Sequence, residues 1–161
     1  MIYQCKFFRI EELVSPEWFE YAQSKGATER LWAAFDADLL IALDNLRDRF
    51  GPLVVNNWHN GGARKDSGLR FSLTATGAAV SQHKFGRAID FVSSKVTPAE
   101  IYQDLVKVGG LKPGFKFRTH EYSEPWHWIS RIEYFEGMTW THIDTARMSG
   151  AGDGSIKVFS A

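Results

Sequence analysis

The chain has 161 residues, room for one domain with a single core and too few for two ordinary ones. Apolar residues make up 44% and aromatics 14%, which excludes a disordered chain, while nineteen basic residues against nineteen acidic ones give no electrostatic reason to expect a nucleic-acid partner. Cys5 is the only cysteine, so intrachain disulfides and cysteine-rich metal clusters are excluded as well.

Residues 1–12 mix Lys6, Arg9, Glu11 and Glu12 among apolar positions and lack the apolar stretch and cleavage site of a secretory signal. No segment approaches the roughly 20 apolar residues that span a bilayer. The expectation is a protein made in the cytoplasm without a signal peptide and without a membrane partner. Residues 3–13 suggest a short strand and a turn. Ser15-Pro16-Glu17 reads as a helix start, with Ser as cap and Pro in the first helical position.

Residues 28–50 give the strongest helical pattern. Leu31, Phe35, Leu39, Leu43, Leu46 and Phe50 recur at three- and four-residue steps, with Asp36, Asp44 and Arg47 expected to face elsewhere, and Gly51-Pro52 ends the run. Residues 53–57 read as a short buried strand, 60–68 as a glycine-rich loop and 87–92 as a further strand. A helix then opens at Thr97-Pro98 with Glu100 completing a capping box. Ile101, Leu105 and Val108 form its apolar face, and Gly109-Gly110 stops it. Residues 126–134 and 139–144 are two extended runs joined by a two- or four-residue turn. That hairpin sets Tyr134 opposite Thr139 and Arg131 opposite His142, with Arg131, Glu133, Trp140, His142 and Asp144 on one face. The whole is α+β, helices packed on a mainly antiparallel sheet.

Chemistry concentrates in Ser81-Gln82-His83-Lys84-Phe85-Gly86-Arg87-Ala88-Ile89-Asp90-Phe91. A chain that turns at the glycine into a strand can bring His83 and Asp90 together. Zinc accepts both donor types, and a catalytic site leaves its fourth position to water. Asp90 falls mid-strand between Ile89 and Phe91, where burying a bare carboxylate is costly and a metal offsets the cost. An isolated His and Asp would more often be a loop residue and a local cap. Trp140-Thr141-His142-Ile143-Asp144 alters that balance by placing a second histidine on a strand among bulky neighbours.

Together, Ser-x-His-x-x-Gly-x-Ala-x-Asp and the later Trp-x-His-x-Asp resemble the LAS-type zinc peptidases, which include D-Ala-D-Ala carboxypeptidases and L-Ala-D-Glu endopeptidases. The layout is most similar to small phage and prophage members, and the likeness runs over residues 56–147. The resemblance implies a hedgehog/D-Ala-D-Ala-peptidase-like fold and a single zinc peptidase domain over 1–161. It makes His83, Asp90 and His142 the ligands of one Zn2+ per chain. It also implies a peptidoglycan stem peptide as partner, cut by a monomer that acts on the cell wall after release or as part of a phage particle. Asn56-Asn57-Trp58, Gly61-Gly62 and Gly68-Leu69-Arg70 resemble the segment upstream of the first ligand, where an arginine meets the substrate. Arg70 matches best and Arg64 is the alternate; a guanidinium fork suits a peptide carboxylate.

The general base departs from the family pattern, since the position three before His142 is Thr139. Glu133, diagonal to His142 in the expected hairpin, is the first choice. Glu136 in the turn is second. Asp144 is third and better suited to orienting an imidazole. Glu124-Pro125-Trp126-His127 offers a competing ligand, His127, with Glu124 as base. It lies only 37 residues after Asp90, a span that must hold a helix and its loops, and it leaves His142 without a task. His59 and His120 read as surface or structural. Trp58 is the one tryptophan given weight as a groove residue; Trp126 and Trp140 read as packing, as does Phe85. The alternative function is a non-catalytic zinc-containing module of the same fold, used for cell-wall binding or as a phage structural component.

Overall fold

A computed structural model describes residues 2–75, 77–109, 129–146 and 157–159, and in these the helices α1 (Pro16–Ser24), α2 (Ala37–Phe50) and α3 (Pro98–Gly109) accompany one five-stranded sheet. The strands are β1 (Leu53–Val54), β2 (Ala88–Ser93), β3 (Arg131–Glu133), β4 (Thr141–Asp144) and β5 (Lys157–Phe159), in the order β1-β2-β4-β3-β5. Every neighbouring pair is antiparallel except β3–β5, which is parallel. The α+β expectation holds. No helix among the described residues is long and apolar enough to cross a membrane.

Alternation along β2, β3 and β4 builds two different faces. Ile89, Phe91, Ile132 and Ile143 join one core cluster with Leu39, Leu40, Leu43 and Leu46 of α2 and Ile101 and Leu105 of α3. Burying side chains of this size contributes roughly 1.5–3 kcal/mol each. The intervening residues, Ala88, Asp90, Arg131, Glu133, His142 and Asp144, stand on the opposite face. Asp90 lies opposite His142, which lies opposite Glu133, so these three form a row across three strands. Ala88, Asp144 and Arg131 form the next row.

This register corrects the expected hairpin. Arg131 pairs with Asp144 rather than with His142, because the connection 134–140 is longer than a two- or four-residue turn. It bends at Glu136 and Gly137, where the glycine takes φ +83°. A slip of two residues leaves each side chain on its expected face, and only the partners change.

The helix expected over 28–50 is split. Thr28–Ala34 is a 3-10 segment, Phe35 is extended, and Asp36 caps α2 by accepting the Asp38 N–H at 3.1 Å. The break has a tertiary cause: Asp36 N–H donates to the Gly86 carbonyl at 3.0 Å. Gly86, at φ +64°, sits so close that a Cβ there would lie 1.9 Å from the Ala34 carbonyl oxygen. Asp44, expected on the polar side of the helix, is buried. It accepts from Tyr3 Oη and Lys6 N at 2.8 Å and from Phe7 N at 3.4 Å. Those bonds hold the N-terminal segment along α2, which replaces the expected strand over 3–13; only the turn Ile10–Glu12 is regular there.

Other local expectations stand. α1 starts at Pro16 behind Ser15, though the serine hydroxyl makes no cap bond. The capping box of α3 is present, with Thr97 N–H on Glu100 Oε2 at 2.7 Å and Glu100 N–H on Thr97 Oγ1 at 3.2 Å. The buried strand of 53–57 shortens to β1, whose Val54 is exposed.

Candidate metal centre

Three chain segments converge on the polar face of the sheet. His83 is delivered by a short 3-10 turn, Gln82–Phe85, which Gly86 closes in the left-handed region. Asp90 and His142 come from facing positions of β2 and β4. One ligand atom from each of the three residues lies within 4.8 Å of the other two. His83 is 3% exposed, which leaves its ring no ordinary solvation and makes the identity of its partners decisive.

Each ring is oriented from behind. His83 Nδ1 lies 3.0 Å from the Gly68 carbonyl, which can only accept, so Nδ1 carries the proton. His83 Nε2 then turns its lone pair toward Asp90 Oδ2 at 3.3 Å. His142 presents Nδ1 to Asp90 Oδ1 at 2.6 Å and Nε2 to Asp144 Oδ2 at 3.2 Å. Asp144 is fully buried and gripped by Arg131, whose Nε donates to both carboxylate oxygens at 2.8 Å and whose Nη2 lies 2.6 Å away. A carboxylate behind the far nitrogen of an imidazole is a usual support for a metal-binding histidine.

Electrostatics fit the same arrangement. Burial alone would raise the Asp90 pKa, but hydrogen bonds from His142 and His83 outweigh it and hold the carboxyl well below its ordinary range. Burial works against charge on His142, yet its bonds to Asp144 and Asp90 carry its pKa up to about 9. Asp144 is likewise lowered, against its burial, by His142 and Arg131. Without a metal, a proton on His142 Nδ1 bridges to Asp90. The donor set of two imidazole nitrogens and one carboxylate oxygen, aimed at one another from buried and braced positions, fits a divalent cation in place of that proton.

The supporting loops account for the glycines upstream. Ser67 carbonyl accepts from Asp90 N–H at 2.7 Å, Gly68 carbonyl meets His83, and Arg70 N–H donates to the His83 carbonyl at 3.1 Å. Gly68 has no room for a side chain, since a Cβ would fall 1.9 Å from the Leu13 carbonyl oxygen. Asn56 braces this loop through Ser67 N–H at 3.0 Å and the Val14 carbonyl at 3.1 Å.

The remaining expected residues fall in distinct places. Arg70 is 9% exposed and turned inward: Nη2 donates to Asp90 Oδ2 at 3.2 Å and Nε to the Asp66 carbonyl. Arg64 braces backbone, with Nε on the Val55 carbonyl at 3.0 Å and Nη2 3.5 Å from the Asp90 carbonyl. Glu133 is directly opposite His142, not diagonal to it. Glu136 is exposed at the hairpin bend. Trp58 donates its indole N–H to the Val14 carbonyl at 2.9 Å and packs on Phe19 at 5.7 Å between ring centroids. Phe85, read as packing, is exposed. His120, Glu124, Trp126 and His127 lie outside the described residues.

Asp36 and Arg131 were missed as parts of the site. Asp36 accepts from Thr145 Oγ1 at 3.0 Å while Thr145 N–H donates to the Arg87 carbonyl at 2.9 Å, tying the end of β4 to the start of β2. Its signal in the sequence was an Asp directly before Ala37, hidden by a helical pattern that ran across it. Comparison of the chain with family models, curated proteins and solved structures gives no match.

Proposed function

We propose that this chain is a zinc-dependent peptidase of the LAS type, with a hedgehog/D-Ala-D-Ala-peptidase-like fold, that hydrolyses an amide bond in peptidoglycan stem peptides. The observation that carries the reading is the convergence of His83, Asp90 and His142 within 4.8 Å, each braced by its own buried partner. The resemblance in the motifs supplies the substrate class and the role of a phage or prophage lytic enzyme or virion component.

His83 Nε2, Asp90 and His142 Nδ1 would hold the ion. Zinc so bound supplies Lewis acidity toward an amide carbonyl and toward water. Glu133, beside His142 in the cross-strand row, takes a proton from the attacking water and returns it to the leaving amine, so the amide and one water give an acid and an amine. Asp144 and Arg131 keep the His142 ring in place. Arg70 holds Asp90 through its Oδ2.

One observation favours a second reading, a zinc-containing wall-binding module without hydrolysis: Glu133 is only 8% exposed. Metal analysis combined with a peptidoglycan digest separates the two. The enzyme is expected to carry about one zinc per chain and to release free D-Ala as a carboxypeptidase, or to part L-Ala from D-Glu as an endopeptidase. Full zinc content with no new termini from any wall chemotype supports the module.

A further inference from the structure

Two guanidinium groups approach Asp90, both from the segment between β1 and β2. Arg70 Nη2 donates to the carboxylate at Oδ2, 3.2 Å away, and Arg64 Nη2 lies 3.5 Å from the Asp90 main-chain carbonyl. Arg70 is held along its whole length. Its N–H is on the His83 carbonyl, its carbonyl accepts the Trp18 indole N–H at 3.1 Å, and its Nε is on the Asp66 carbonyl. The arginine expected to meet a substrate therefore faces a metal ligand.

The two oxygens of Asp90 are not equivalent. Oδ1 lies 2.6 Å from His142 Nδ1, where an ion would replace the bridging proton. Oδ2 meets Arg70 Nη2 at 3.2 Å and His83 Nε2 at 3.3 Å. A hydrogen bond between a guanidinium and a carboxylate is about twice as strong as a neutral one, so Oδ2 is not readily turned from Arg70 onto an ion. The number of oxygens on offer decides which cation is favoured. Zinc is satisfied by about four donors with nitrogen among them, whereas calcium takes roughly six to eight oxygens and manganese favours about six.

We propose that Arg70 is a positioning residue that limits Asp90 to one metal-binding oxygen, Oδ1, and so selects nitrogen-seeking cations such as zinc over oxygen-seeking ones such as manganese. The inference rests on the metal centre proposed above and does not depend on hydrolysis.

The test uses the purified full chain, loaded with cobalt(II) for its visible spectrum and titrated separately with zinc and with manganese against a chelating dye. The parent is expected to show the intense absorption of four-coordinate cobalt. In Arg70→Met, which keeps the length of the side chain and removes the donor, Asp90 closes on the ion with both oxygens. The cobalt bands then weaken, and the ratio of zinc to manganese affinity falls about tenfold. Gly77→Ala alters an exposed position, keeps every charge and pushes on the Arg70 tip, since the added Cβ would lie 2.6 Å from Nη1. It should move both readouts in the same direction, and it decides the matter if Arg70→Met does not fold. An equal loss of both affinities, with bands and ratio unchanged, would mark Arg70 as structural only and overturn the proposal, as would no change in either variant. A parent that binds neither cobalt nor zinc would overturn the metal centre and this inference with it.

Discussion

The two faces of β2, β3 and β4 are made by alternate residues of the same short strands, yet they are held by opposite physics. One face carries Ile89, Phe91, Ile132 and Ile143 and is fixed by close apolar packing against α2 and α3. The other carries Asp90, Glu133, His142 and Asp144, where order comes from a few directional bonds between charged groups. Packing is spread over many small contacts and degrades gradually; a buried ionic network depends on each member. The difference means that chemistry and stability are separable by one residue along the strand, and the variants below are chosen to separate them.

The largest effect falls on activity. Glu133→Gln keeps the shape of the cross-strand row and removes the proton acceptor, so hydrolysis of stem peptides should drop about 10²–10⁴-fold with zinc content intact. On the apolar face, Phe91→Ala should cost about 3–5 kcal/mol in denaturant unfolding, while the fraction that remains folded still binds zinc. Next comes Asp144→Asn, which leaves the His142 ring without its carboxylate. Metal affinity measured by competition with a chelating dye should fall about 10–100-fold, with a smaller loss of stability than Phe91→Ala gives.

The smallest effect is a pH dependence confined to the polar face. With its pKa raised, His142 stabilises the metal-free protein fully below its ordinary value of 6.5, and that contribution is lost as pH climbs through about 9. Thermal melts in chelator should therefore decline across that window. With zinc the trend should reverse over the same range, because the metal displaces the His142 proton and binds more tightly as pH rises. Melts that decline equally with and without zinc would separate the ion from His142.

Much of this was legible in the sequence because the signals are local. The Thr97/Glu100 box fixes the start of α3, and alternation around Asp90 and His142 fixes which way those side chains face. What was not legible depends on distant partners. The break before Asp36 exists because Gly86 packs there, and a helical period cannot register a loop some fifty residues away. Asp44 reads as a solvent-facing charge until the backbone N–H groups of Lys6 and Phe7 arrive. The hairpin register follows the length of the 134–140 connection, which turn preferences alone set too short. β5 is three residues long and gives no period to read. In the site, the resemblance carried by the two motifs singled out His83, Asp90 and His142 as a candidate triad, whereas the inward turn of Arg70 onto Asp90 follows from Gly77, where a Cβ would lie 2.6 Å from Arg70 Nη1.

The most direct measurement is zinc stoichiometry of the purified protein beside His142→Ala, each also checked for folding by circular dichroism. About one zinc per chain is expected in the parent, with near-complete loss in a variant that remains folded. Full retention of zinc by His142→Ala would contradict it, since the ion would then be held by a different set of side chains.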